Sequence, residues 1–481
     1  MNSVVKESKS RILQIIVIVS IGAFMSALDS SIVNISLPAM STYFNASLTT
    51  VEWVVLSYLI IITSLLLTFG RLGDLFGHKI IFNTGLIIFT AGSLFCALSP
   101  TIIILIIARV VQAVGAGMLM SMGPAIITMN VAPERRGRSL GAMAVSVSLA
   151  LIAGPAIGGF LISYFGWQSI FYINLPIGIA VFIWALRVLP VTRGMEKQRF
   201  DFIGAVLLFI SLIAIVFPLS FADKAGWSNP YIIASIISGI ILFAVFIIIE
   251  NRIRNPMLDL KLFRSRVFAF GNISLMLNFI AQFAVSLIMP FYLIQLRNFS
   301  PSEAGLILIA APIAIMVVGP VAGYISDKID ARYLSSAGMV LASTGLFLLS
   351  TLKEDTKIYL IIIYALVVGF GFGMFQTPNN SAIMGSVAPG KRGTASSMLA
   401  TMRNLGMVLG VAIAGSVFST RQNYITDALK NTAFSSLQIQ NEAFTGALQL
   451  TFIVAGMIST VGIFTSLVRG PLKKTPVPEE K

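Results

Sequence analysis

Asp29, Arg109 and Gln112 are polar groups set deep inside long apolar runs. A carboxylate in a membrane-length helix costs roughly 2.5–3.5 kcal/mol to insert, so it must face a cavity or a partner. Burial favours the protonated form of a carboxylic acid, which makes Asp29 a candidate for proton or cation handling. The plainer reading is a structural carboxylate capped by Ser30 or Ser31. Arg109 is permanently charged and needs a counter-charge or backbone carbonyls, with Asp29 and Glu52 as the available carboxylates. An arginine that only clamps helices together is the alternative. Asn34 follows Asp29 by one to two turns, and Gln112 lies one turn beyond Arg109 on the same helix face. Glu52, beside Trp53, reads as a second ionisable group at the outer interface or as an ordinary interfacial residue. Arg403, next to Asn404, is a second cation inside an apolar run, suited to an anionic group of a substrate or to a cytoplasmic gate.

Two glycine-rich segments set geometry rather than charge. Gly70-Arg71-Leu72-Gly73-Asp74-Leu75-Phe76-Gly77-His78-Lys79 separates two apolar runs. Its glycines permit a tight turn and close helix approach, and Asp74 is free to accept from an arginine or a helix N-terminus. It reads either as a cytoplasmic latch or as a plain polar turn. Gly154, Pro155, Gly158 and Gly159 place small residues at i, i+4 spacing around a helix-breaking proline, as a hinge or as simple packing. A polar-aromatic stripe of Asn272, Asn278, Phe279, Gln282, Phe283 and Gln295 is expected either to line a cargo path or to bond neighbouring helices.

The elements that carry these groups must be membrane helices. Of 481 residues, 57% are hydrophobic and 11% charged. Mean hydropathy is +0.92, more apolar surface than a water-soluble fold can hide. About fourteen runs of membrane-spanning length recur, and in lipid their backbones must satisfy themselves as helices. The net charge of +14 reports topology and does not imply nucleic acid. With a cytoplasmic N-terminus, 25 of the 33 lysines and arginines fall in cytoplasmic segments and 6 in external ones, which puts both termini in the cytoplasm of a cell-membrane protein. The first run is long, contains Asp29 and lacks a small-residue cleavage site, so it reads as a retained helix. Residues 420–444 read as a long external segment.

The chain also repeats itself. Ala132-Pro-Glu-Arg-Arg-Gly137 returns as Ala388-Pro-Gly-Lys-Arg-Gly393, offset by 256 residues, and at that offset Gly115 meets Gly371, Gly154 meets Gly410 and Gly159 meets Gly415. The decapeptide has a weaker echo at 323–328. Six helices need fewer residues than the offset, so two helices, within 201–250, are inserted between six-helix bundles at 1–200 and 251–481. Parallel repeats of this kind place a substrate site near the bilayer midplane. Ala365 and Val368 stand where the first half has Arg109 and Gln112, so the chemistry is expected to be one-sided.

On these motifs the chain resembles the major facilitator superfamily, and within it the drug:proton antiporters with fourteen spans. Gly70–Lys79 is similar to the loop between helices two and three, Arg109–Gly115 to the helix-four motif, and Gly154–Gly159 to the helix-five antiporter motif. Leu28–Pro38 and Pro256–Phe263 are similar to segments of the fourteen-span branch. The resemblance implies an all-α integral membrane protein with about 14 helices in a 6+2+6 arrangement. It also implies alternating access, a latch at Gly70, Arg71, Gly73, Asp74, Gly77 and Lys79, and protons as the coupling ion.

The expected function is transport of small amphipathic or aromatic compounds, with proton-coupled drug export in front and a dedicated carrier for one nutrient, such as the vitamin riboflavin, behind. One cysteine (Cys96) and one histidine (His78) give neither a metal site nor a nucleophile with its base, so an enzyme is not expected. Short tails argue against a sensor or scaffold. No phosphate-binding loop is visible, so an ion gradient is expected to supply the energy. Neither metal nor cofactor is implied, and a monomer is expected.

Overall fold

The computed structural model describes residues 9–191, 202–253, 260–326, 328–388 and 391–470, and the regular elements among them are helices. They form two compact units.

The first unit takes in the chain through Ile249 together with Met289–Ile309. It holds α1 (Lys9–Phe44), the short α2 (Leu48–Val51), α3 (Trp53–Phe76), α4 (His78–Ala97), α5 (Ile102–Asn130) and α6 (Pro133–Phe165). The short α7 (Ser169–Tyr172), then α8 (Asn174–Val188), α9 (Phe202–Ala225) and α10 (Pro230–Arg252) follow. Gly77 breaks α3 from α4 with φ 98°, a left-handed value that a side chain resists. Thr101 starts α5 by accepting from the Ile104 N–H at 3.3 Å, an N-cap that satisfies one orphan donor. α9 packs on α3, with Trp53 and Phe217 in edge contact at 5.7 Å.

The second unit takes in Glu250–Ile288 and the chain from Ala310 onward. After α11 (Arg266–Phe291), a single π turn over Tyr292–Leu296 leads to α12 (Pro301–Leu308); both belong to the first unit's 289–309 segment. α13 (Ala310–Ser326), α14 (Ala331–Leu349), α15 (Ile358–Gly385), α16 (Arg392–Leu429) and α17 (Ser436–Val468) complete the chain. α12 and α17 each begin with a reciprocal capping box, Ser300 with Glu303 and Ser435 with Gln438.

Among the described residues 13 helices are long and apolar enough to cross a membrane. The run expected at 202–221 is α9, 24 residues long, with its apolar stretch at Val206–Ala222. Within 420–444, read as a long external segment, the chain is largely helical: α16 continues to Leu429 and α17 starts at Ser436. Arg421, Gln422, Asn423 and Asp427 end the apolar run without ending the helix, because hydropathy and helix propensity are separate properties.

The duplication is visible in how each unit packs. In the first, Gly85 lies on Gly115 and Gly92 on Gln112, bringing α4 against α5. In the second, Gly338 lies on Gly371 and Gly345 on Val368, bringing α14 against α15. Gly154 and Gly158 set α6 on α1, as Gly406 and Gly410 set α16 on α11. The α4 glycines recur at an offset of 253, not 256, because Gly92 precedes its contact at Gln112 by 20 residues and Gly345 precedes Val368 by 23.

Candidate functional site

Five helices of the first unit converge on Asp29. Its side chain and that of Arg109 are 0% and 1% exposed, and Asp29 Oδ2 accepts from Arg109 Nη1 at 2.5 Å. The same Nη1 donates to Gln112 Oε1 at 2.6 Å, and Arg109 Nε donates to the Val54 carbonyl at 3.0 Å. Asp29 Oδ1 accepts from Gln112 Nε2 at 2.8 Å and from Asn174 Nδ2 at 3.3 Å. Ser93 Oγ accepts from the same two amides, at 2.7 and 3.3 Å, while donating to the Phe89 carbonyl. Cys96 Sγ lies 3.5 Å from Gln112 Oε1. The guanidinium stands 4.0 Å over the Tyr58 ring and 5.8 Å from that of Phe171, in cation–π contact with both.

Helix spacing explains the convergence. Arg109 and Gln112 on α5, Ser93 and Cys96 on α4, and Val54 and Tyr58 on α3 each lie three or four residues apart and so share a face. Asn174 is the first residue of α8, delivered by the break after α7. Gly92 lets the α4 backbone touch the Gln112 backbone, since a Cβ there would stand 2.7 Å from Gln112 Cα. A charge pair this deep is retained only when its other lone pairs and hydrogens are satisfied, and here the Gln112 and Asn174 amides and the Val54 carbonyl do that, with Ser93 holding the two amides.

Of the two carboxylates open as partners for Arg109, the structure uses Asp29. Asn34 and Glu52 are buried in the same unit, at 6% and 0% exposure. Ser30 and Ser31 do not cap Asp29; Ser31 Oγ donates instead to the Leu151 carbonyl of α6. Ser93, Asn174 and Tyr58 were not expected from the sequence, and Cys96 was noted there only as a lone cysteine. The i, i+3 pair of Ser93 and Cys96 inside an apolar run was the available signal for two of them. In the second unit Leu346, Ala365 and Val368 replace Ser93, Arg109 and Gln112, so the cluster has no counterpart there.

The decapeptide forms the last turns of α3, the Gly77 break and the start of α4. Asp74 pairs within the segment, with His78 Nε2 at 3.3 Å, and not with an arginine or a helix N-terminus. Gly70 and Gly73 lie on Ser121 and Met122 of α5. Lys79 Nζ donates to the Leu186 carbonyl at the end of α8 at 2.8 Å. Arg71 is half-buried at the same end.

The glycine-proline segment of α6 divides its contacts. Gly154 and Gly158 meet α1, whereas Gly159 meets the Pro301 backbone of α12. Pro155 sits inside an uninterrupted α6, and its carbonyl lies against Gly305. The expected stripe on α11 also divides. Phe279 and Phe283 turn to Gly406 and Gly410 of α16, Asn272 donates to its own helix at Phe268, and Asn278 and Gln282 meet Gln376 of α15. Gln295 is exposed in the π turn. Arg403 belongs to the second unit, half-buried, with no hydrogen-bond partner for Nε among the described residues.

The chain is similar to known transporters in sequence and in fold. The riboflavin transporter RibZ of Clostridioides difficile (strain 630) is 35% identical over 447 residues, 93% of this chain and 96% of its own. The multidrug resistance protein Stp of Mycobacterium tuberculosis (strain CDC 1551 / Oshkosh) is 30% identical over 401 residues, 83% of this chain and 74% of its own. A bacterial homologue of the human lysosomal transporter Spinster, solved inward-facing and unoccupied, superposes with TM-score 0.71 at 14% identity over 96% of this chain and 97% of its own. Residues 19–411 match the Major Facilitator Superfamily, and the chain, a multi-pass membrane transporter and not an enzyme, belongs to it.

Proposed function

We propose that this secondary transporter exports small amphipathic or aromatic compounds in exchange for protons, and that Asp29 carries the proton. The observation behind this is the single Asp29 oxygen that Arg109 occupies. A proton on Asp29 removes the charge that holds the guanidinium, so protonation weakens the ion pair and favours its rupture. Rupture frees a buried guanidinium that must find another acceptor, which ties proton uptake to helix rearrangement. The Asp74–His78 turn acts as a cytoplasmic latch, and the α6 glycines as a hinge. Both termini are cytoplasmic in a cell membrane, the bundles are arranged as six, two and six helices, and the protein works as a monomer.

A second reading is a dedicated carrier for one metabolite, such as riboflavin. It is favoured by charge: among described residues of α11 and α13–α17 the carboxylates are Asp427 and Glu442, both toward the α16–α17 turn. Cationic cargo would gain from a carboxylate on the interior of those helices, and neutral cargo would not. The riboflavin-named relative points the same way. Accumulation in energised everted vesicles, with and without a protonophore, separates the readings. Protonophore-sensitive uptake of several unrelated dyes supports export, and saturable flux of one vitamin with no dye movement replaces it.

A further inference from the structure

The second unit contains an amide cluster that packing does not consume. Gln376 Nε2 on α15 donates to Asn278 Oδ1 at 3.3 Å and to Gln282 Oε1 at 3.1 Å, both on α11. Asn278 is fully buried and turns its own Nδ2 to Met339 Sδ at 3.6 Å. Gln376 and Gln282 are half-buried, and Gln376 Oε1 and Gln282 Nε2 have no hydrogen-bond partner among the described residues. The two glutamines therefore offer one acceptor and one donor on either side of a single amide–amide bond. Flipping all three amides exchanges the two roles but still leaves one donor and one acceptor. α11 carries one charged residue, Arg266 at its first position, and α15 carries none.

A half-buried donor beside a half-buried acceptor, with no charge on either helix beyond Arg266 at the start of α11, matches a flat neutral group that has a C=O next to an N–H. Lactams and cyclic imides have that edge, and alkyl ammonium and polycyclic cations do not. A site that hydrogen-bonds such an edge rejects the analogue whose N–H is blocked, because its own polar atom is then left unpaired. We infer that Gln282 and Gln376, held by Asn278, form a recognition edge for uncharged planar heterocycles bearing a lactam or imide. This rests on the reading of the chain as a carrier of small compounds, and it names the chemistry selected within that reading.

Binding to the full-length protein in lipid nanodiscs tests it, with lumiflavin, which carries an imide N–H, against 3-methyllumiflavin, in which a methyl replaces that hydrogen. The expected result is a preference for lumiflavin of at least about tenfold, abolished in Gln282→Leu and Gln376→Leu. Equal binding of the two flavins by the unaltered protein, or no binding of lumiflavin, overturns the inference without recourse to any variant. A preference that survives both substitutions overturns the residue assignment. Protonophore-sensitive ethidium uptake, measured separately, keeps the transport reading distinct. Dye movement without imide preference removes this inference alone, and imide preference without proton-driven flux removes the coupling reading alone.

Discussion

Asp29 and Arg109 are eighty residues apart in the chain and 2.5 Å apart in the fold, closed off from solvent and bridged by Gln112 on both partners. Removing one member of such a pair leaves an uncompensated charge, at a cost of about 3–5 kcal/mol, whereas removing both is often neutral. Arg109→Gln alone should therefore lower the thermal midpoint more than the double change with Asp29→Asn. Asp29→Asn should remain in the membrane but lose proton-driven accumulation, and the double variant should regain stability without regaining coupling. Melting of the purified variants and accumulation ratios in vesicles read the two halves of the claim. An undiminished accumulation ratio in Asp29→Asn would remove Asp29 from coupling.

Gly92 sets how closely α4 meets α5 beside Gln112. A methyl there stands 2.7 Å from Gln112 Cα, backbone that a rotamer change cannot move. Gly92→Ala should part the helices, stretch the Gln112–Ser93 bond and destabilise by about 1–3 kcal/mol. Gly141→Ala, where nothing lies within 4 Å, should be neutral or slightly stabilising, as alanine favours helix. Equal midpoints for the two variants would show that the α4–α5 contact has slack.

Helices and site were unequally legible in the sequence. Hydropathy finds spans because lipid demands about twenty apolar residues, so α4, α14 and α15 fall within a few residues of expectation. It misses the ends of α16 and α17, where polar residues continue a helix beyond the apolar run. Asp29, Arg109 and Gln112 stand out because charge and amides are rare inside spans. Ser93, Tyr58 and Asn174 do not, since a hydroxyl, a phenol or a helix-end asparagine has ordinary alternatives such as bonding its own helix. Which carboxylate Arg109 takes depends on register between α1, α3 and α5, and no local pattern fixes that. Asp74 and His78 were legible as a charged turn, but their mutual pairing was not.

The Asp74–His78 contact joins the last turn of α3 to the first residue of α4 across the Gly77 break. Asp74 is 53% exposed, so the pair adds little to stability. Its loss should appear in rate. Asp74→Ala should slow turnover about tenfold, a barrier change of about 1.4 kcal/mol, with little change in substrate affinity. Parallel measurement of flux and equilibrium binding separates the two, and an unchanged rate would sink the latch.

Gly159 and Gly305 make a reciprocal contact: a Cβ on Gly159 meets the Pro301 carbonyl, and one on Gly305 meets that of Pro155. Both glycines therefore serve one backbone-to-backbone approach between α6 and α12. Gly159→Ala and Gly305→Ala should each cost about 1–3 kcal/mol and slow transport. The α6 contact with α1 is made by Gly154 and Gly158 and should persist. Because either methyl already separates the helices, the second should add little. The double variant should then melt close to either single one, a departure from additivity expected of residues sharing a contact. Thermal midpoints of the three variants decide it. A double variant that loses the sum of the two single effects would mean that the glycines act as separate contacts, and the hinge would have to be sought at Gly154 and Pro155 instead.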